Sequence, residues 1–362
     1  MQFTQKSKDH MDACRFCWMC RHICPVGNAT GQERNTARAR ALGLSMVARE
    51  AIEYSEDIIN NVYECALCAA CVEDCVTGWD PVMFTKEARQ LAALEGKLPS
   101  YILKMLDNLD EKGNVYGLDK DKALTDAANA LGSSKTLLFI GEDASFKAPS
   151  KAIKAIELLQ KAGVDFTALA DEPNSGASIN FIISAVAETK AVMENAAKAL
   201  ASYDKIICYD PADAKLFKRE YKEWGIELGA EIVTFTEFVA SLIKDGKLAV
   251  KKSDIDFTPQ DSYLLARELE ECAPVREILS ACGNVKEMLL NCKATVLAGN
   301  LIMNEYMPEI MKDVASRRWI NAENMNCKTV VTESPAEYVL MKETKPEGME
   351  ILTVEEAVLK CL

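Results

Sequence analysis

Imidazole is scarce in this chain: His10 and His22 are the two histidines among 362 residues. Zinc hydrolases usually recruit several imidazoles as ligands and bases, so that chemistry is not expected. Positive charge is also in short supply. With 42 basic against 55 acidic residues the formal net charge is −13, which repels a nucleic-acid backbone at long range and excludes DNA or RNA as an expected partner. No apolar run approaches the roughly 18 residues of a membrane span. The opening MQFTQKSKDHMDAC lacks the apolar core of a secretory signal. The expectation is a cytoplasmic protein without a membrane span. A G-x-G-x-x-G or P-loop pattern is missing too, even after Gly141 in FIGEDAS, so no nucleotide site is expected within the chain.

Cysteine is abundant, and it is clustered. Residues 14 to 25 read CRFCWMCRHICP and residues 65 to 75 read CALCAACVEDC. Both carry C-x2-C-x2-C-x3-C, at Cys14, Cys17, Cys20 and Cys24, and at Cys65, Cys68, Cys71 and Cys75. Structural thiols are usually scattered singly, whereas a ligand set needs sulfurs that can converge on one small object. In a reducing compartment clustered thiols hold metal or do redox work in preference to forming disulfides. Two zinc ions would need only C-x2-C pairs. The third cysteine of each run favours a cubane instead, with three thiolates on three corners and the fourth, heading a helix, turned toward the neighbouring cluster as in two-cluster ferredoxins. One [4Fe-4S] cluster then takes Cys14, Cys17, Cys20 and Cys75. The other takes Cys65, Cys68, Cys71 and Cys24. Pro25 suits the first turn of a helix after Cys24; Val76 stands at the corresponding place in the second run, where the turn is less well specified. His22 reads as a polar neighbour of the first run.

Helical patterns flank the runs. Leu44, Val47, Ala48, Ala51 and Ile52 follow the spacing of an amphipathic helix that Asn35 or Thr36 could cap, and Phe84, Ala88, Leu91 and Ala92 repeat it before Gly96. Arg34, Arg38 and Arg40 read as a solvated helix face, with a docking patch as the alternative. The two runs in this helical setting resemble the α-helical ferredoxin module of the iron–sulfur subunits of glycolate oxidase, anaerobic glycerol-3-phosphate dehydrogenase, lactate-utilisation proteins, heterodisulfide reductase and succinate dehydrogenase. The resemblance covers about the first hundred residues.

Beyond a polar helical stretch over 101–134, expected to be a linker, the pattern changes. TLLFIG, DKIICYDP, AEIVTF, ATVLAG, KTVVTESP and MEILTV are short apolar or β-branched runs separated by helical stretches, which implies parallel α/β units. IICYDPADAKLFKREY at 206 to 221 lines up with VVTESPAEYVLMKETK at 330 to 345, and VTFTEFVASLIKDGKL at 233 to 248 with LTVEEAVLKCL at 352 to 362. The expected fold class is therefore α + α/β: a two-cluster ferredoxin module over 1–100, then a duplicated α/β domain with parallel strands, in halves 135–250 and 251–362.

That second part resembles the cysteine-rich domain pair of the heterodisulfide reductase and glycolate oxidase families, in which cysteines build a further iron–sulfur site. The corresponding places here, DEPNSG, YDPADA, LAGNLI and ESPAEY, contain no cysteine. The α/β half is accordingly expected to be a docking body rather than a metal site, and the helical module to hold both clusters without it. Cys208, Cys272, Cys282, Cys292, Cys327 and Cys361 are read as small buried thiols. The chain reads as a non-catalytic electron-transfer subunit that passes single electrons through two [4Fe-4S] clusters. The resemblance implies FAD or FMN on a partner, a flavin-dependent dehydrogenase of the glycolate or lactate type, with an electron-transferring flavoprotein as a further candidate. A heterodisulfide-reductase-like catalytic subunit with an unusual third site, and a cluster-stabilised scaffold or redox sensor, are the rival readings.

Overall fold

A computed structural model describes residues 2–362. It divides into two compact units. The first joins the described residues up to Gly117 to two later excursions, Ser178–Ala191 and Ile302–Val314; the second is Leu118–Ala177, Val192–Leu301 and Ala315–Leu362. This division differs from the boundaries at 100 and 134 read from the sequence. The helix Ser100–Lys112 belongs to the first unit because Tyr101 is anchored there: its ring stacks on Tyr306 with centroids 4.7 Å apart, and its hydroxyl donates to Asn60 Oδ1 at 2.9 Å.

The first unit is helical. Thr36 caps the helix Ala37–Ala48 by accepting from Ala39 N, and Leu44 and Val47 are buried on its inner face. The helix stops at Ala48, so Ala51 and Ile52 lie beyond the periodic stretch. Asp80 caps Pro81–Leu94, whose Phe84, Ala88 and Ala92 are buried. Pro25 begins the helix Pro25–Thr30, and Cys24 is its cap, accepting from Gly27 N at 3.4 Å. Cys75 heads no helix: after Val76, which is 89% exposed, the chain turns and the next helix starts at Pro81. A proline at the right place decides that difference between the runs.

The second unit is α/β with parallel sheets. Strands β1 (Thr136–Phe139), β2 (Lys205–Cys208) and β3 (Glu231–Thr234) form one parallel sheet in the order β1-β2-β3. Strands β4 (Asp256–Gln260), β5 (Asn284–Val285), β6 (Thr329–Thr332) and β7 (Glu350–Thr353) form another, in the order β5-β4-β6-β7. The paired sequence stretches take up the same elements. β2 leads through Asp210–Pro211 into a helix and on to β3 and the helix Phe235–Lys244, while β6 leads through Ser334–Pro335 into a helix and on to β7 and Val354–Leu359. Pro149–Lys161 packs on Val354–Leu359 and Phe235–Lys244 on Ala273–Cys282, so each half lays its helices on the other half. One apolar cluster joins Leu138, Ile207 and Val239 to Phe257, Leu279, Val331 and Val358.

Two strand assignments change. ATVLAG forms no strand and begins in the 3-10 turn Cys292–Ala294, because side chains take up its backbone groups: Ala298 N donates to Glu337 Oε1 at 3.0 Å and Val296 O accepts from Gln260 Nε2 at 3.0 Å. β4 contains Pro259, which argues against an interior strand. It is accommodated because pairing with β5 covers only Asp256 and Phe257, so the missing N–H falls beyond that short ladder.

Candidate metal centres in the helical unit

Each cysteine run bends in the same way. Phe16 and Trp18 in the first run have φ of 54° and 70°, and Leu67 and Ala69 at the matching positions of the second have 52° and 57°. Left-handed backbone is uncommon for residues other than glycine. Its repetition at two equivalent positions curls the chain so that thiols three residues apart face one point. Amides line that turn, with Phe16 N at 3.5 Å from Cys14 Sγ and Leu67 N at 3.4 Å from Cys65 Sγ.

The structure gathers the eight cysteines into two sets of four. Cys14, Cys17, Cys20 and Cys75 line one cavity, together with Trp18, Arg38 and Trp79. Cys24, Cys65, Cys68 and Cys71 line another, with Pro25, Arg40 and Pro81. Each cavity takes three thiols from one run and the last thiol of the other. The all-thiol donor set suits both cavities to the same kind of soft, multi-iron group.

Burial governs the electrostatics. It pushes the Cys20 thiol up to about 11, with Cys14, Cys17 and Cys75 adding to the rise, and the Cys24 thiol up to about 12 against the pull of the Arg40 guanidinium. Cys71 is pushed well above the ordinary thiol value by burial and then by Cys65, Cys68, Cys24 and Cys20, so the two sets are near enough to feel each other. Cys75 moves the other way. Burial raises it, but the Thr77 hydroxyl at 3.2 Å, the Thr77 amide and the Trp79 amide together bring it below the ordinary value. Iron binds the thiolate, so loading these cavities releases protons. Retention is therefore expected to weaken as pH falls, by about tenfold per pH unit for each thiol that must give up a proton. Cluster loss timed at pH 6 and pH 8 under a chelator checks this; equal rates would mean that the thiols are not the ligands.

Arg38 and Arg40 are not a solvated face. Arg40 is buried, donating from Nε to Asn61 O at 3.0 Å and from Nη2 to Asn35 O at 3.1 Å beside the second cavity. Arg38 lies over the Trp18 ring at 3.7 Å beside the first. Only Arg34, paired with Glu64, stays largely in solvent. Two cations thus face two sets of thiolates, which a single-sequence charge pattern cannot reveal. Sequence reasoning also missed Arg89, buried in the helix Pro81–Leu94, whose Nη2 reaches Cys65 O at 2.6 Å and Val62 O at 3.2 Å while Nη1 reaches Phe181 O at 2.6 Å. His10 serves the fold, accepting from Asp80 N at Nδ1 at 3.2 Å. Its carbonyl accepts from Trp79 Nε1 at 2.6 Å.

Three of the four places without cysteine, DEPNSG, YDPADA and ESPAEY, hold carboxylates, and the fourth, LAGNLI, donates a backbone amide to one of them. Glu172 accepts from Ile140 N and Gly141 N, both at 2.7 Å, Asp213 accepts from Ser175, and Glu337 accepts from Ala298 N. Burial lifts Glu172 to about 8 and Glu337 to about 7. Of the six remaining cysteines, Cys208, Cys282, Cys327 and Cys361 are buried, as read from the sequence, whereas Cys272 and Cys292 are half-exposed.

Comparison with known proteins agrees with the donor set. Residues 10–79 match the 4Fe-4S dicluster domain family. The chain is 29% identical over 285 residues to the probable iron-sulfur-binding oxidoreductase FadF of Bacillus subtilis, covering 69% of this chain and 39% of FadF. It is 26% identical over 320 residues to one subunit of the dihydromethanophenazine:CoB–CoM heterodisulfide reductase of Methanosarcina acetivorans, covering 76% of this chain and 74% of that relative. With one subunit of the fumarate reductase (CoM/CoB) of Methanothermobacter marburgensis the identity is 20% over 350 residues, 91% of this chain and 68% of the relative. The chain thus spans about two fifths of the length of FadF. These likenesses support an iron–sulfur oxidoreductase subunit of the type the cysteine runs resemble. Among the described residues no helix is long and apolar enough to cross a membrane.

Proposed function

We propose that the chain is an electron-transfer subunit carrying two [4Fe-4S] clusters, one held by Cys14, Cys17, Cys20 and Cys75 and the other by Cys24, Cys65, Cys68 and Cys71, and that it exchanges single electrons with a flavin on a partner dehydrogenase. The observation that carries this reading is the convergence of four thiols in each of two neighbouring cavities. Two cubanes supply one-electron steps and no acid–base or hydride chemistry. The residues of the chain do the rest. Eight thiolates hold the groups, Arg38 and Arg40 set positive charge beside them, and the amides at Phe16, Leu67 and Gly27 point toward sulfur. The first cavity is lined by Trp18, Met19 and Val76, each more than a third exposed, which suits it to exchange electrons with a docked protein. The second unit, a duplicated α/β body in which carboxylates stand at three of the four cysteine-free places, serves as the scaffold for the complex.

The chain purified anaerobically with its partners is expected to bring down a flavoprotein, and adding that flavoprotein's reductant should bleach the visible absorbance of the chain. Absorbance that no flavin donor or acceptor alters would set electron transfer aside in favour of a cluster-stabilised scaffold.

A further inference from the structure

We propose that Asp261, Cys272 and Cys292, all in the second unit, form a site for a thiophilic divalent cation of the zinc class. The two cysteines are separated by nineteen residues and belong to no C-x2-C pair, so nothing in the sequence couples them. Folding brings their sulfurs and a carboxylate oxygen of Asp261 within 4.8 Å of one another. Tetrahedral bonds of about 2.3 Å to sulfur and about 2.1 Å to oxygen place neighbouring ligand atoms roughly 3.5–3.8 Å apart. Small side-chain rotations therefore close the site around an ion.

The three ligands are fixed by one hydrogen-bonded frame. Arg276 grips both oxygens of Asp261, Nη1 to Oδ1 at 2.6 Å and Nη2 to Oδ2 at 3.0 Å, and the same Nη1 donates to Cys272 O at 2.8 Å. Cys292 N donates to Asp261 Oδ2 at 2.8 Å. Thr295 Oγ1 donates to Asp261 O at 3.0 Å, and Arg267 Nε donates to Lys293 O at 2.7 Å. An ion pair between Glu270 and Lys293 joins the two cysteine-bearing loops. Arg276 is itself held by Glu287 through contacts of 2.8 Å. Such outer contacts orient metal ligands. Oδ2 accepts two of these bonds and Oδ1 one, so Oδ1 retains lone-pair capacity for an ion, an ionised carboxylate offering about four acceptor sites.

The donor set selects the ion. Two sulfurs with one hard oxygen fit zinc and its congeners, whereas a cubane takes four thiolates. A divalent cation and the Arg276 guanidinium offset the two thiolates and the Asp261 carboxylate, with Glu287 leaving one net negative charge. Asp261 is buried while both thiols are half-exposed, which leaves a fourth position on the solvent side for water. The other close thiol pair, Cys282 and Cys361, differs: it is buried in the apolar cluster, and Cys361 Sγ donates to Cys282 O at 3.4 Å.

The test uses the full chain with its iron–sulfur groups loaded, so that the cysteine runs are occupied. Zinc added in competition with a chromophoric chelator is expected to bind at one equivalent per chain beyond the iron. The double variant C272S/C292S should lose that equivalent, and Asp261→Asn should weaken it, with iron and sulfide unchanged in all. Should a variant fail to fold, X-ray absorption at the zinc edge of the wild type still decides, two sulfur neighbours with oxygen being expected. No zinc bound, equal binding by the double variant, a four-sulfur zinc environment, or a Cys272–Cys292 disulfide in anaerobically isolated protein would each overturn the proposal.

Discussion

Cys75→Ala is expected to remove the group held by the first cysteine run and leave the other in place, with iron falling from about eight to about four per chain. The reason is geometric. Cys75 closes the second run in sequence, yet it lines the cavity of Cys14, Cys17 and Cys20, while Cys24 lines that of Cys65, Cys68 and Cys71. Cys24→Ala should do the converse. Serine is a weaker test because its oxygen can still approach iron. Spectra that resolve the two groups in the reduced protein check this, and a Cys75→Ala change confined to the group of Cys65, Cys68 and Cys71 would mean that each run is self-contained.

Arg89→Met is expected to destabilise the fold through the buried carbonyls it leaves without a donor, and to empty the second cavity first. Arg89 is fully buried and its guanidinium holds the carbonyls of Val62, Cys65 and Phe181 while lying 4.9 Å from the Tyr63 ring and 4.7 Å from the Phe181 ring. Methionine fills part of the volume but leaves those carbonyls without a donor, at about 1–3 kcal/mol for each one left buried. The same contacts bear on truncation. Phe181 lies in the excursion Ser178–Ala191, where Ile182 O also accepts from the Tyr63 hydroxyl at 3.0 Å, and in the other excursion the Tyr306 hydroxyl donates to Tyr63 O at 2.8 Å. A chain ending at residue 134 lacks all three partners, so it is expected to lose the second group, contrary to what the sequence suggested. Thermal unfolding and iron content of both proteins check this. A truncated chain with its full complement of iron would show that the excursions are not needed.

The thiol sets were legible because covalent spacing alone limits what three cysteines at two-residue intervals can surround. The α/β repeat was legible through Pro211 and Pro335, each at the start of a helix behind a strand. Other features depend on contacts distant in sequence. Arg38 and Arg40 look like surface charges until Trp18, Asn35 and Asn61 are placed around them. The left-handed turns at Phe16, Trp18, Leu67 and Ala69 carry no glycine to announce them. ATVLAG has the composition of a strand, but Gln260 and Glu337 capture its backbone, and no local pattern encodes that. Asp261 meets Cys272 and Cys292 through loops whose course only the tertiary fold determines.

The most direct test of the account is a redox titration of the anaerobically purified chain, followed by electron paramagnetic resonance together with iron and acid-labile sulfide analysis. The account predicts about eight irons and about eight sulfides per chain, with two one-electron reductions, as two cubanes require. A preparation holding two zinc ions in place of iron, or iron that accepts no electron at any accessible potential, would contradict it.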